Sequence, residues 1–129
     1  MMSEDAMADE VIVSRNDRHL VVPTSWGRLV WQVGASQNNS RNLTVGMCYI
    51  EPGQANGRHY HPNCEEVLTV VSGRIVHTWD DQEVEMSEGD AITIPANIVH
   101  NARNIGEHTA AMFIVFSSAY RAAIAEEKQ

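Results

Sequence analysis

Apolar and polar positions alternate along this chain in short runs, and Gly, Pro, Asn or Asp cuts the runs at close intervals. Alternation with a period of two puts every second side chain on one face of an extended strand. On that basis the sequence predicts strands over residues 11–13 and 19–22, parted by the polar turn Ser14-Arg15-Asn16-Asp17. Further strands are predicted over 28–33, 43–51, 66–71, 74–79, 82–86, 91–94, 100–104 and 109–117, with a Ser- and Asn-rich loop over 34–42. The last run is long enough for a helix. Its β-branched and aromatic residues, and the Gly106 turn before it, favour a buried strand instead. Only residues 119–128 have helical composition. About ten short strands with turns between them make an antiparallel sandwich or barrel.

The chain has 129 residues, one domain's worth, and 43% of them are hydrophobic, which suits a packed core without disulfides. The expected organisation is an acidic, flexible tail over 1–9, a barrel over 10–118, and a short C-terminal helix or tail over 119–129. The acidic opening residues lack the apolar segment of a secretory signal, and no apolar run approaches the roughly 20 residues of a membrane span. Nine Lys and Arg against seventeen Asp and Glu give a net charge of −8 with no basic stripe, which argues against nucleic acid and anionic membrane as partners. Two cysteines, Cys48 and Cys64, without a CxxC pair fit a reducing, cytoplasmic setting.

Candidate chemistry concentrates between Gly53 and Gly73. His59 and His61 are two apart, so both imidazoles of a strand can reach one ion while Tyr60 points away. A carboxylate follows at Glu65 or Glu66, and His100 lies further on, behind Gly89 and Pro95.

The spacing of these residues resembles the cupin superfamily. The first motif of that family is matched by Gly53, five residues, His59-Tyr60-His61, four residues, Glu66, six residues and Gly73. The second is matched by Gly89, five residues, Pro95-Ala96-Asn97, two residues, His100, three residues and Asn104. Asn97 stands where the family usually has Gly, and Asn tolerates the positive φ such a turn needs. The resemblance implies an all-β fold, an antiparallel double-stranded β-helix or jelly-roll barrel. It implies His59, His61, Glu66 and His100 as metal ligands, with Glu65 the competing carboxylate. Three imidazoles and one carboxylate suit one divalent transition metal, Fe, Mn, Ni, Zn, Cu or Co. A ligand set of four leaves positions for water, O₂ or substrate oxygens.

If Ser72-Gly73 is a two-residue hairpin turn, then Leu68, Val70, Ile75, His77 and Trp79 face inward with Glu66, while Val67, Thr69 and Val71 face out. His77 is then a candidate general acid or base. Tyr49, Trp79 and Arg58 are candidate substrate contacts, with Met47, Met112 and Phe113 further candidates for the pocket wall. The resemblance also implies a homodimer burying the outward face. The function expected is a small mononuclear metal-dependent enzyme acting on an oxygen-rich small molecule. Its reaction would be that of a dioxygenase or of a redox-neutral isomerase, lyase or decarboxylase. The alternative is a non-catalytic module that binds a metal or small ligand.

Overall fold

A computed structural model describes residues 10–127, so the expected tail over 1–9 lies outside the described residues. The described residues form β1 (Leu20–Pro23), β2 (Gly27–Val33), β3 (Thr44–Ile50), β4 (His59–Tyr60), β5 (Glu66–Ser72) and β6 (Arg74–Trp79). They continue with β7 (Gln82–Ser87), β8 (Ala91–Ile94), β9 (His100–Asn104), β10 (Ala110–Phe116) and β11 (Ile124–Ala125). Two antiparallel sheets face each other, one in the order β1-β2-β3-β10-β5-β8 and the other β11-β4-β9-β6-β7. This is the predicted all-β jelly roll.

Strand alternation decides what lies between the sheets. In β3, Thr44, Gly46, Cys48 and Ile50 are buried while the residues between them are not. In β5, Glu66, Leu68 and Val70 point inward and Val67 and Val71 are exposed. Ile75 and His77 of β6, His100, Ala102 and Asn104 of β9, and Met112, Ile114 and Phe116 of β10 complete the interior. Full burial of a side chain such as Ile50 or Met112 stabilises the fold by about 1.5–3 kcal/mol. Gly46 makes room for Trp31 beside it. A Cβ there would lie 2.7 Å from Trp31 Cε3, so a larger residue would displace the indole.

The second motif's asparagine fastens the loops at one end. Asn104 is buried, and its Nδ2 donates to Ile50 O and His108 O, each at 2.8 Å. Its Oδ1 accepts from Gly106 N. Asn97 adopts φ 69°, the left-handed turn conformation expected of it.

Three expectations need correction. First, β5 and β6 do not form a hairpin but belong to different sheets. The chain crosses at Gly73, with φ 94°, where a Cβ would come within 3.0 Å of Ala110 Cα. The crossing keeps the alternation in step, so Leu68, Val70, Ile75 and His77 still face inward. Second, residues 11–13 are not a strand. Val11 is 98% exposed, and apolar alternation without a neighbouring strand leaves its backbone groups to water. Third, no C-terminal helix forms among the described residues. Instead Ile124 and Ala125 pair with Tyr60 and His59, and Glu126 N donates to Arg58 O. These tertiary bonds override the helical leaning of the alanines.

On the outer face of the larger sheet Val67, Val71 and Phe113 stay partly exposed. Among the described residues no helix is long and apolar enough to cross a membrane.

Candidate metal centre

Four side chains converge from both sheets. His59 on β4 is opposite His100, the first residue of β9, in the strand register. His61 follows directly after β4. Glu66 opens β5 in the facing sheet and its carboxylate reaches across the interior. One donor atom from each of the four lies within 4.8 Å of the others. His61 Nε2 is 3.1 Å and His100 Nε2 3.4 Å from Glu66 Oε1. Glu65, the competing carboxylate, precedes β5 and is exposed.

The outer hydrogen bonds show which ring atoms face the centre. His59 Nδ1 donates to Gly57 O at 2.7 Å, and His61 Nδ1 donates to Ala122 O at 2.9 Å. A carbonyl only accepts, so Nδ1 carries the proton in each ring and the neutral imidazole offers the Nε2 lone pair inward. His61 Nε2 then meets the Glu66 carboxylate acceptor to acceptor, a contact that calls for a cation between them. His100 Nε2 is buried and has no hydrogen-bond partner among the described residues. These donors therefore fit a divalent metal ion.

Protonation favours the same occupant. Burial, reinforced by the neighbouring histidines, pushes His100 down to about 3 from its ordinary 6.5, although Glu66 opposes the shift. Burial also lowers His59 and His77. For Glu66, burial acts to raise the carboxyl, but the close approach of His61, with His100 and His59 beside it, holds it below the usual carboxylate range. At neutral pH, His59 and His100 are therefore neutral and Glu66 is ionised, the forms that bind metals.

His77 lies behind His100. It is fully buried, its Nε2 is 3.5 Å from His100 Nδ1, and the rings stack 5.3 Å apart. Its own Nδ1 has no partner among the described residues. A cavity of ≈ 250 Å³ opens beside the four residues. Apolar side chains form most of its wall, chiefly Trp26, Leu29, Trp31, Leu68, Ile114 and Phe116.

The three expected substrate contacts lie elsewhere. Tyr49 is on the outer face of β3, because Cys48 and Ile50 take the inward positions, and the Arg28 guanidinium sits 3.9 Å from its ring centroid. Trp79 ends β6, half-buried and opposite His100 in the strand register, but it is not part of the cavity wall. Arg58 turns away to Thr78 Oγ1, Asp80 O and the Glu126 carboxylate. Met47 and Phe113 also occupy outward strand positions, and Met112 is packed in the core rather than the wall. Cys48 does reach the cavity, but burial, with Glu66 adding to it, pushes its thiol up to about 12 and keeps it protonated.

Sequence reasoning missed Trp26, Trp31 and Arg121 in the wall. Trp31 could have been found from alternation in β2, where it shares a face with Leu29. Arg121 carried no such signal, because it comes from the segment expected to be helical.

Comparison with known proteins gives one family and a set of partial relatives. The family described as "Cupin domain" matches over residues 46–116. Polyketide synthase CurC of Streptomyces cyaneus is 32% identical over 68 residues, which cover 53% of this chain and 44% of the relative. Germin-like protein subfamily 3 member 2 of Arabidopsis thaliana is 33% identical over 76 residues, covering 52% and 34%. The chain thus spans less than half the length of these two relatives. Among solved structures, a Bacillus subtilis oxalate decarboxylase variant superposes with a TM-score of 0.75 at 20% identity, over 82% of this chain and 29% of that one. The Lactobacillus farciminis oxalate decarboxylase formate complex gives 0.76 at 20% identity, over 84% and 34%. At that identity the likeness is one of fold.

Proposed function

The chain belongs to the cupin family, and from that premise we propose that it is a metal-dependent enzyme acting on an oxygen-rich small molecule. The observation that carries this reading is the convergence of acceptors, in which three imidazoles and the Glu66 carboxylate meet with the His100 Nε2 lone pair unpartnered. His59, His61, Glu66 and His100 would hold one divalent transition ion, leaving a net charge of about +1 at the centre. When bound, that ion supplies Lewis acidity and a template for substrate oxygens. A Bacillus subtilis relative in fold is described with Mn(II) centres, which makes manganese the first metal to test.

The chain's own residues do the rest. Gly57 O and Ala122 O hold the rings of His59 and His61 with Nε2 inward. His77 stands against the far side of His100, where its Nε2 can accept the Nδ1 proton and keep the His100 lone pair on the inner nitrogen. The apolar wall limits water around a bound substrate. The reaction is that of a dioxygenase or of a redox-neutral isomerase, lyase or decarboxylase. The names of its relatives, a polyketide synthase and oxalate decarboxylases, direct the screen toward polyketide-like and carboxylated compounds.

The test is to load the protein with Fe(II) or Mn(II) and screen such compounds. Oxygen consumption with iron marks the dioxygenase. Turnover without oxygen, or solvent proton exchange into substrate, marks the redox-neutral class. Stoichiometric metal with neither would assign the chain to metal or ligand binding without catalysis and would overturn the enzymatic reading.

A further inference from the structure

The cavity holds a second cationic element that the four-residue centre does not use. Arg121 lies in the segment after β10 and lines the cavity as well as a shallower pocket beside Tyr120, with its guanidinium 4.4 Å from the Trp31 ring centroid and 5.2 Å from that of Phe116, both of them cavity-wall residues. Among the described residues no hydrogen bond or salt bridge occupies its five N–H donors. Glu66 is the one carboxylate on the wall, and its oxygens are turned to His61 and His100. The Glu66 charge acts on Arg121 from nearby, yet no carboxylate oxygen is bonded to the guanidinium among the described residues, so its donors stay open to a ligand.

The segment holds Arg121 firmly. Asn63 Nδ2 donates to Tyr120 O at 2.8 Å and Asn63 Oδ1 accepts from Ala122 N at 3.1 Å, so one side chain grips the backbone on both sides of the arginine. Ala35 N donates to Ala119 O, and Ala122 O takes the His61 Nδ1 proton. A side chain based on so many tertiary bonds is presented in a set orientation.

We propose that Arg121 is the anion-binding residue of the cavity, and that the ligand it selects is a monoanionic carboxylate or enolate carrying an apolar or aromatic body. The guanidinium fork matches two oxygens of such a group. Trp26, Leu29, Trp31, Leu68, Ile114 and Phe116 would cover the body. A small dicarboxylate, all oxygen at both ends, leaves this wall without a partner. The proposal deepens the enzymatic reading above. It depends on the metal only for added positive charge and is measurable without it.

The probes are benzoate, its neutral analogue benzyl alcohol, and oxalate. Binding is followed by calorimetry on metal-free and on Mn(II)-loaded protein, with metal content measured on each sample. Benzoate is expected to bind at least tenfold more tightly than benzyl alcohol or oxalate to the metal-free protein. Arg121→Gln should weaken benzoate at least tenfold and leave benzyl alcohol unchanged, with metal stoichiometry and melting temperature retained. Arg121→Lys should recover part of the loss, which excludes misfolding as its cause. Equal benzoate affinity in Arg121→Gln, or a preference for oxalate or benzyl alcohol in the metal-free wild type, would overturn the proposal. If the protein takes up no metal yet binds benzoate through Arg121, the metal reading fails and this one stands. Metal uptake with Arg121-independent benzoate binding has the opposite meaning.

Discussion

The barrel strands and the segment over residues 119–127 both reach the candidate centre, but by different physical means. On the strands, His59, Glu66 and His100 arrive by alternation and register, so moving any of them would shift an entire strand face. The C-terminal segment arrives by a handful of tertiary bonds, from Asn63, from the backbone of β4 and from His61. The strands supply donors to an ion. The segment supplies the proton acceptor that orients one of those donors, and the guanidinium that faces the cavity. A centre built this way can keep its ion site while the groups around it change, because the two parts rest on separate interactions.

Substitution on the strand side should have the largest effect. Glu66→Gln removes the one carboxylate among the four donors, and metal affinity measured by competition with a chelating dye should fall by more than about 100-fold. A fall no larger than that caused by loss of the C-terminal segment would erase the distinction between the two regions. Ending the chain at Ser118 deprives His61 Nδ1 of Ala122 O, and affinity should then fall by about 10–100-fold while the barrel's far-UV dichroism persists.

Acid should separate the regions by stability. His59, His77 and His100 are depressed from 6.5, so the folded form binds fewer protons than the unfolded chain. The stability they contribute is full above 6.5 and is lost as pH falls toward the folded values, for His100 about 3. Glu66, also depressed, adds a loss that sets in below about 4.5. The melting temperature of the metal-free protein should therefore drop between pH 7.5 and 5, and the drop should shrink in His77→Leu. A flat profile would mean that these rings are not buried neutral. Tyr49→Phe, on the outer face, is the smallest case. It should leave metal and benzoate affinity unchanged within error, and a change in either would place Tyr49 in contact with the site.

Legibility in the sequence follows the same division. His59, His61, Glu66 and His100 could be named because their spacing matches the two cupin motifs, while parity alone left Glu65 open beside Glu66. His77 was correctly turned inward although the assumed hairpin is absent, since the Gly73 crossing preserves parity from β5 into β6. Tyr49 was misplaced because the inner face of β3 is decided by its neighbours. Trp31 needs the space at Gly46, which leaves Cys48 and Ile50 on that face. Arg58 sits beside a donor histidine in sequence, yet its side chain follows the nearest acceptors on Thr78, Asp80 and Glu126. Arg121 was invisible because helical composition said nothing about Asn63 or β4, the distant groups that hold it.

The central claim is that His59, His61, Glu66 and His100 form a single ion site. Calorimetric titration of the metal-free chain with Mn(II) or Zn(II), beside a His59→Ala/His61→Ala double variant checked for an unchanged fold, addresses it most directly. One ion per chain in the wild type and none in the variant is the predicted result. No stoichiometric binding in the wild type, or the same binding in both, would contradict it.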